Sequence, residues 1–252
     1  MSERDGYAPG VPCWIDTWRE DALAAVGFYT ELFGWDAEAS GRHHTCRIRG
    51  RDVAGIGERA AGAPPAWTTY VWVDSAEETA AKAAEAGGSV LAAPSGSLDG
   101  GWMAILADPA GATIGVWQPG SHRGAQLVNE PGAWAMSTLT TADPEGAQRF
   151  YGGVFGWETE AFGPVTLWRL PGYIGGEPKQ PVPRDVIAVM APGDGPARWD
   201  VNFWVADTDG VADKTAALGG RIVAPPSDAP GFREAVLADP HGAVFSVSQL
   251  VK

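Results

Sequence analysis

An α+β fold built twice over is what this 252-residue chain predicts. Three observations predict it. Stretches of the first half recur, in order, in the second. Each half reads as short strands interrupted by two helical stretches. The composition, 45% hydrophobic and 19% charged, is that of a chain with a core to bury and not of a disordered one.

The repeats are specific. Phe28-Tyr29-Thr30-Glu31-Leu32-Phe33-Gly34-Trp35 returns as Phe150-Tyr151-Gly152-Gly153-Val154-Phe155-Gly156-Trp157. Trp67 to Val73 returns as Trp199 to Val205, Ala86-Gly87-Gly88 as Leu218-Gly219-Gly220, and Ala107-Asp108-Pro109 with Gly111 as Ala238-Asp239-Pro240 with Gly242. Order is kept and spacing drifts only by loop-sized insertions, the signature of a duplicated unit. The expected division is a module over 1–120, a linker over 121–131 and a second module over 132–252.

Within the first module the elements follow from local pattern. A strand over Cys13–Trp18 leads to a helix over Ala22–Phe33, with Leu23, Val26, Phe28, Tyr29 and Leu32 as its apolar positions and Gly34 as its stop. Strands are expected over Thr45–Arg49 and Asp52–Gly57. The pattern then restarts with a strand over Trp67–Val73, a helix over Ala76–Ala86 stopped by Gly87-Gly88, and strands over Ser89–Ala92, Trp102–Ala107 and Ala112–Trp117. Asp108-Pro109-Ala110-Gly111 is the tight turn joining the last two. One unit of strand, helix and further strands thus occurs four times.

Composition removes several functions. With 18 Lys plus Arg against 31 Asp plus Glu, the net charge of −13 lacks the basic face that a phosphate backbone requires, so no nucleic-acid partner is expected. No run of about 18 apolar residues exists, which leaves no membrane span. The opening Met1 to Tyr7 has no apolar leader, so the expected location is cytoplasmic. Cys13 and Cys46 form no disulfide framework and no metal-type spacing; buried thiols on neighbouring strands are expected. The glycine patches Gly87-Gly88, Ser95-Gly96 and Gly175-Gly176 lack the strand-to-helix context of a nucleotide loop. Twelve Trp remain to be explained.

The Phe-Tyr-x-x-Leu-Phe-Gly-Trp stretch after the first strand and Asp-Pro-x-Gly-Ala before the last resemble the vicinal oxygen chelate superfamily of glyoxalases, bleomycin-resistance proteins and extradiol dioxygenases. Pro12 to Asp16 is similar to its actinobacterial tandem branch, often labelled "hydroxylase". The resemblance covers nearly the whole chain. It implies tandem glyoxalase-like modules, each made of paired βαβββ units with sheets curled around a cleft and helices outside.

Alternation then selects the cleft residues, because successive strand side chains point to opposite faces. Val71 and Val73, Ile114 and Val116, Val201, Phe203 and Val205, and Phe245 and Val247 are apolar and belong against the helices. That leaves Thr68, Tyr70, Trp72, Thr113, Gly115 and Trp117 for the first cleft, and Asp200, Asn202, Trp204, Val244, Ser246 and Ser248 for the second. The resemblance adds Trp14, Asp16 and Trp18 to the first and Met136, Thr138 and Thr140 to the second.

The resemblance implies a divalent metal held by His, Gln or Glu on the first strands of two units and a Glu on a last strand. The matching positions here hold Trp14, Thr68 and Gly115, and Met136, Asp200 and Ser246. Only Asp200 is a strong donor, and a catalytic ion needs three or four. No cofactor and no divalent metal are expected. The expected function is a metal-independent, aromatic-lined binding site for a small hydrophobic or aromatic molecule, in a monomer or homodimer. Its lining is Trp14, Asp16, Trp18, Thr68, Tyr70, Trp72 and Trp117, with Asp200, Asn202 and Trp204 in the second cleft, and Asp16 is the candidate acid–base group. The alternative is a secondary-metabolism enzyme, of lyase, isomerase or oxygenase type, that is metal-free or uses another ligand set. Trp35, Trp157, Trp67 and Trp199 are expected in the core, His43 and His44 as structural or exposed residues, and Asp200 with Asn202 as a hydrogen-bonded pair. The Arg42, Arg47, Arg49, Arg51 and Arg59 stretch fits either a ligand's acidic group or a solvated strand.

Overall fold

A computed structural model describes residues 3–60, 62, 65–96, 100–175 and 183–251; Gly176 of the glycine patch lies outside them. The first half runs β1 (Pro12–Arg19), α1 (Ala22–Phe33), β2 (Asp36–Ser40), β3 (His43–Ile48), β4 (Arg51–Glu58), β5 (Trp67–Trp72), α2 (Ala76–Glu85), β6 (Ser89–Gly96), β7 (Trp102–Ala107) and β8 (Thr113–Gln118). The second runs β9 (Trp134–Thr141), α3 (Pro144–Phe155), β10 (Glu158–Phe162), β11 (Val165–Arg169), β12 (Val186–Pro192), β13 (Arg198–Trp204), α4 (Thr208–Ala217), β14 (Arg221–Ala229), β15 (Phe232–Ala238) and β16 (Val244–Leu250).

Each half forms one open, eight-stranded mixed sheet. The orders are β2-β3-β4-β1-β5-β8-β7-β6 and β10-β11-β12-β9-β13-β16-β15-β14. In each βαβββ unit the first strand lies parallel to the last, and the two units of a half join through antiparallel first strands, β1 with β5 and β9 with β13. Trp14 therefore faces Tyr70 and Asp16 faces Thr68 across the centre of the first sheet.

Local chemistry sets the helix ends. The Asp21 carboxylate caps α1 by accepting from the Ala24 amide at 2.8 Å, and Gly34, at φ 72°, closes it in the left-handed conformation. Asp143 and Gly156 repeat this on α3. The buried side of α1 is Ala22, Ala25, Phe28, Tyr29 and Leu32. Leu23, expected among its apolar positions, is 70% exposed, because the helix turns that position to solvent. Strand β2 was absent from the expected elements: Asp-Ala-Glu-Ala-Ser is exposed throughout and has no apolar alternation to reveal an edge strand. Cys13 and Cys46 are both buried, but β4 separates their strands, so they are not neighbours. Burial raises the pKa of both thiols, that of Cys46 to about 12, which keeps them protonated.

The halves meet through their repeated motifs. Tyr29 on α1 donates to Asp239 of the last turn at 3.0 Å and accepts from Trp67 Nε1 at 3.0 Å. Tyr151 on α3 donates to Asp108 at 3.0 Å and accepts from Trp199 Nε1 at 2.8 Å. Trp35 donates to the Gly132 carbonyl and Trp157 to the Gly10 carbonyl; these bonds and the two tyrosine–aspartate bonds cross from one half to the other with approximate two-fold symmetry, while Trp67 and Trp199 brace the tyrosine of their own half. One asymmetry stands out: Arg19, buried, pairs with Asp239 at 2.9 Å. All four repeated Trp are buried. Among the described residues no helix is long and apolar enough to cross a membrane.

Candidate functional site

The seven first-cleft residues share the helix-free face of the first sheet. Trp14 pairs with Tyr70, Asp16 with Thr68, Tyr70 with Gly115 and Trp72 with Trp117. Side chains fill this face: Trp14 is 2% exposed, Tyr70 0%, Trp72 6% and Trp117 8%, while Trp18 and Thr68 are partly exposed. Tyr70 lies flat against Gly115, where a Cβ would sit 2.2 Å from its ring.

The segment between the halves straps one end of the face. The Ala125 amide donates to the Cys13 carbonyl at 2.8 Å, and Gln126 bonds Asp52 through amide and side chain. The His122 ring meets Trp14 edge-on, 4.4 Å between centroids, and stands 5.4 Å from Trp117. Its Nε2 is 3.7 Å from Asp52 Oδ2. Arg123 lies 5.0 Å over the Trp72 ring.

The other end is built on two glycines. Gly55 and Gly57 of β4 pair with Asp16 and Trp18 of β1, and β3 sets His43 against Gly57. A Cβ on Gly57 would lie 2.4 Å from the Trp18 ring, and one on Gly55 2.5 Å from His43 Nε2 and 3.1 Å from Asp16 Cβ. The missing side chains thus let an indole and an imidazole lie on the sheet beside Asp16, their centroids 5.8 Å apart.

Asp16 is 4% exposed. Its Oδ2 accepts from Trp18 Nε1 at 2.9 Å. Its Oδ1 and the Tyr70 hydroxyl make no well-formed hydrogen bond, though the two groups are close enough for each to shift the other's ionisation. Burial raises the Asp16 carboxyl from 3.8 to about 7, against the opposing pull of Trp18 and Tyr70. Burial also lowers His43 from 6.5 to about 4, helped by His122 and His44. At neutral pH the imidazole is uncharged and the carboxyl is close to half protonated.

Asp200, Asn202 and Trp204 fall on a different surface, the helix-free face of the second sheet. There Asp200 pairs with Thr138, and Asn202 with Met136 and Ser246. This face is partly open: Met136, Thr138, Thr140, Asp200, Asn202 and Trp204 are all intermediate in exposure. Asp200 takes Arg198 at 3.0 Å, and Asn202 bonds Ser246 and Ser248 at 2.9 and 2.7 Å. Strand neighbours satisfy each, so the expected pairing of Asp200 with Asn202 is replaced by two separate sets. A concavity of about 50 Å³ opens nearby, lined by Arg4, Tyr7, Trp134, Met136, Tyr173 and Ile187 among others.

The arginines are paired with carboxylates: Arg42 with Glu58, Arg47 with Glu38 and Asp52, Arg49 with Glu130, and Arg51 with Glu3. That is the solvated-strand alternative. His43 and His122 are the site residues that sequence reasoning did not bring to the cleft. For His43 a signal existed, the Gly55-Ile56-Gly57 alternation that leaves a bare floor beside Asp16.

The positions matching a metal site hold indole, hydroxyl and glycine on the first sheet, and thioether, carboxylate and hydroxyl on the second. These sets do not supply three strong donors. Among the described residues no group of three His, Cys, Asp or Glu is gathered that could hold an ion.

Two open sheets of paired βαβββ units, helices on one face and a residue-lined face opposite, define a tandem glyoxalase-like protein. Residues 136–248 match the family described as "Glyoxalase-like domain". The chain is 36% identical to a putative glyoxylase, CFP32, of Mycobacterium tuberculosis, over 98% of this chain and 97% of that one. It is 33% identical to the anthracycline biosynthesis protein DnrV of Streptomyces peucetius, over 97% and 94%. Among solved structures, the Mn(II)-bound glyoxalase from Novosphingobium aromaticivorans superposes with a TM-score of 0.66 at 14% identity, covering 97% of this chain and 83% of that one. The 2,3-dioxygenase LapB from Pseudomonas sp. KL28 gives 0.65 at 12%, covering 96% and 93%. The chain belongs to the glyoxalase-like family of the vicinal oxygen chelate superfamily.

Proposed function

We propose that the protein is a metal-independent binder of a planar, hydrophobic aromatic metabolite, which it takes onto the helix-free face of the first sheet with Asp16 as polar anchor. The observation that carries this reading is the Asp16 carboxyl itself: buried among Trp14, Trp18, Tyr70 and His43, with one oxygen engaged by Trp18 and the other making no well-formed hydrogen bond beside the Tyr70 side chain. Aromatic walls around a few placed polar atoms suit a small-molecule site, and each stacked ring adds about 0.5–1.5 kcal/mol beyond its buried area.

Approach is from the Trp18–His43 edge, because the strap covers the other end. Trp18 moves off the bare Gly57 floor at the cost of one hydrogen bond, about 1 kcal/mol net, plus the burial of part of its ring. The kinship to proteins named for anthracycline biosynthesis supports a polycyclic aromatic ligand. The donor-poor sets at the metal positions support metal independence.

Titration of intrinsic Trp fluorescence with 1,8-dihydroxyanthraquinone tests the reading. Saturable quenching is expected in the wild type. Trp14→Ala and Trp18→Ala are expected to raise Kd at least tenfold, and Trp102→Ala, exposed at the start of β7 away from the site, to leave it unchanged. Affinity equal to wild type in both Trp14→Ala and Trp18→Ala would refute it.

A further inference from the structure

We infer that Asp16, Tyr70 and His43 form a proton-transfer centre that interconverts an aromatic ketone and its enol. The inference rests on the binding site proposed above and adds chemistry to it. Three features of the geometry point there.

Two buried polar atoms, Asp16 Oδ1 and the Tyr70 hydroxyl, lie near each other without a well-formed hydrogen bond. A buried polar atom left so is the exception in folded chains. Two together, both able to donate when Asp16 is protonated, are arranged as the donors that hold a carbonyl oxygen while negative charge develops on it. A basic nitrogen also lies beside them. The glycine at position 55 lets His43 Nε2 and the Asp16 stem approach the same point of the sheet, at 2.5 and 3.1 Å from where a Cβ would stand. Finally, the Trp18 indole fixes the carboxyl by bonding Oδ2, which leaves Oδ1 as the working oxygen.

Burial keeps a proton available at Asp16 and leaves His43 an uncharged acceptor of reduced basicity. The charged or titratable groups around them are His44 on β3, His122 on the strap, and Tyr70 on β5. The roles are therefore set by position: Asp16 Oδ1 beside the Tyr70 hydroxyl, and His43 Nε2 over the Gly55 floor.

The step balances without a co-reactant. His43 Nε2 takes a proton from the carbon next to the ketone. The C–H electron pair forms the C=C bond, the C=O π pair moves to oxygen, and Asp16 Oδ1–H delivers its proton there, with Tyr70 donating to the same oxygen. The product is the enol, an imidazolium and a carboxylate. Reversal at the same carbon exchanges the hydrogen, and reversal at a conjugated carbon moves the double bond. Nothing is oxidised or reduced. The substrate class is a planar aromatic ketone bearing an enolisable C–H.

The test is hydrogen exchange at the α-carbon of 1-tetralone in D2O, followed by proton NMR with the full chain, alongside quenching of Trp fluorescence by the same ketone. The wild type is expected to accelerate exchange about 10²-fold or more over buffer, the lower end of what positioned acid–base groups supply. Asp16→Asn and His43→Gln are each expected to lose at least tenfold of that rate at saturating ketone, with Kd from quenching measured for each variant so that rates are compared at equal occupancy. Quenching without exchange above buffer, or exchange undiminished in His43→Gln, would overturn the inference and leave the binding reading standing. Neither quenching nor exchange would overturn both.

Discussion

Replacing Asp16 by Asn should stabilise the protein, increasingly as pH rises. A carboxyl whose pKa is raised in the folded state from 3.8 to about 7 binds its proton more tightly folded than unfolded. Between those values the folded chain holds the extra proton, so stability falls as pH climbs through the window. Below pH 4 the group is neutral in both states and costs nothing through ionisation. Above pH 7 it is charged in both, and the buried carboxylate bears the full penalty. At about 1.4 kcal/mol per tenfold change in affinity for the proton, that penalty is about 4 kcal/mol. Asn keeps the shape and cannot ionise. The difference in unfolding free energy between Asp16→Asn and wild type, from urea titrations with a common slope, should therefore rise by about 3–4 kcal/mol from pH 4 to pH 8 in favour of the variant. Any constant offset from an imperfectly bonded amide drops out of that comparison. A difference flat across the range would mean that Asp16 is hydrated and ordinary, and the case for it as an acid would fail.

The clamp between the halves offers a second check. Asp239→Ala leaves Arg19 buried without its carboxylate and is expected to cost about 3–5 kcal/mol; Asp108→Ala, with no arginine to strand, is expected to cost clearly less in the same urea titrations. Gly57→Ala places a methyl 2.4 Å from the Trp18 ring and should push that ring outward, read as stronger acrylamide quenching. Tyr151→Phe removes hydrogen bonds to Asp108 and Trp199 and is expected to destabilise by about 1–3 kcal/mol, visible as a lowered urea midpoint.

Much of this molecule is written in local pattern. The α1 span follows from Asp21, Gly34 and the apolar spacing between them, and the face shared by Trp14, Asp16, Tyr70, Trp72 and Trp117 follows from alternation once Val71, Ile114 and Val116 are assigned to the helices. What was illegible depends on distance along the chain. His122 reaches Trp14 only because the segment between the halves folds back over the sheet, and nothing in its neighbours announces that. His43 comes to Asp16 through the register of β3 on β4 and of β4 on β1, two pairings that no single stretch encodes. Strand β2 lacks an apolar face because it borders solvent, so it has no pattern to read. How far side chains fill the first face, while the second stays partly open, is a matter of volumes and not of alternation.

The repeated motifs carry a consequence of their own. Phe-Tyr-x-x-Leu-Phe-Gly-Trp and Asp-Pro-x-Gly look like signatures of a single unit, yet Tyr29 finds its carboxylate in the opposite half and Trp35 its carbonyl at the start of that half. Each copy writes one side of a lock whose other side is in the duplicate. Severed from its twin, either half would present a tyrosine, a tryptophan and an aspartate ready for bonding with nothing to receive them, along with the aromatic faces of α1 or α3. The natural repair is a second identical half, so the same residues that close this chain on itself would, in a single-module ancestor, have closed two chains into a dimer.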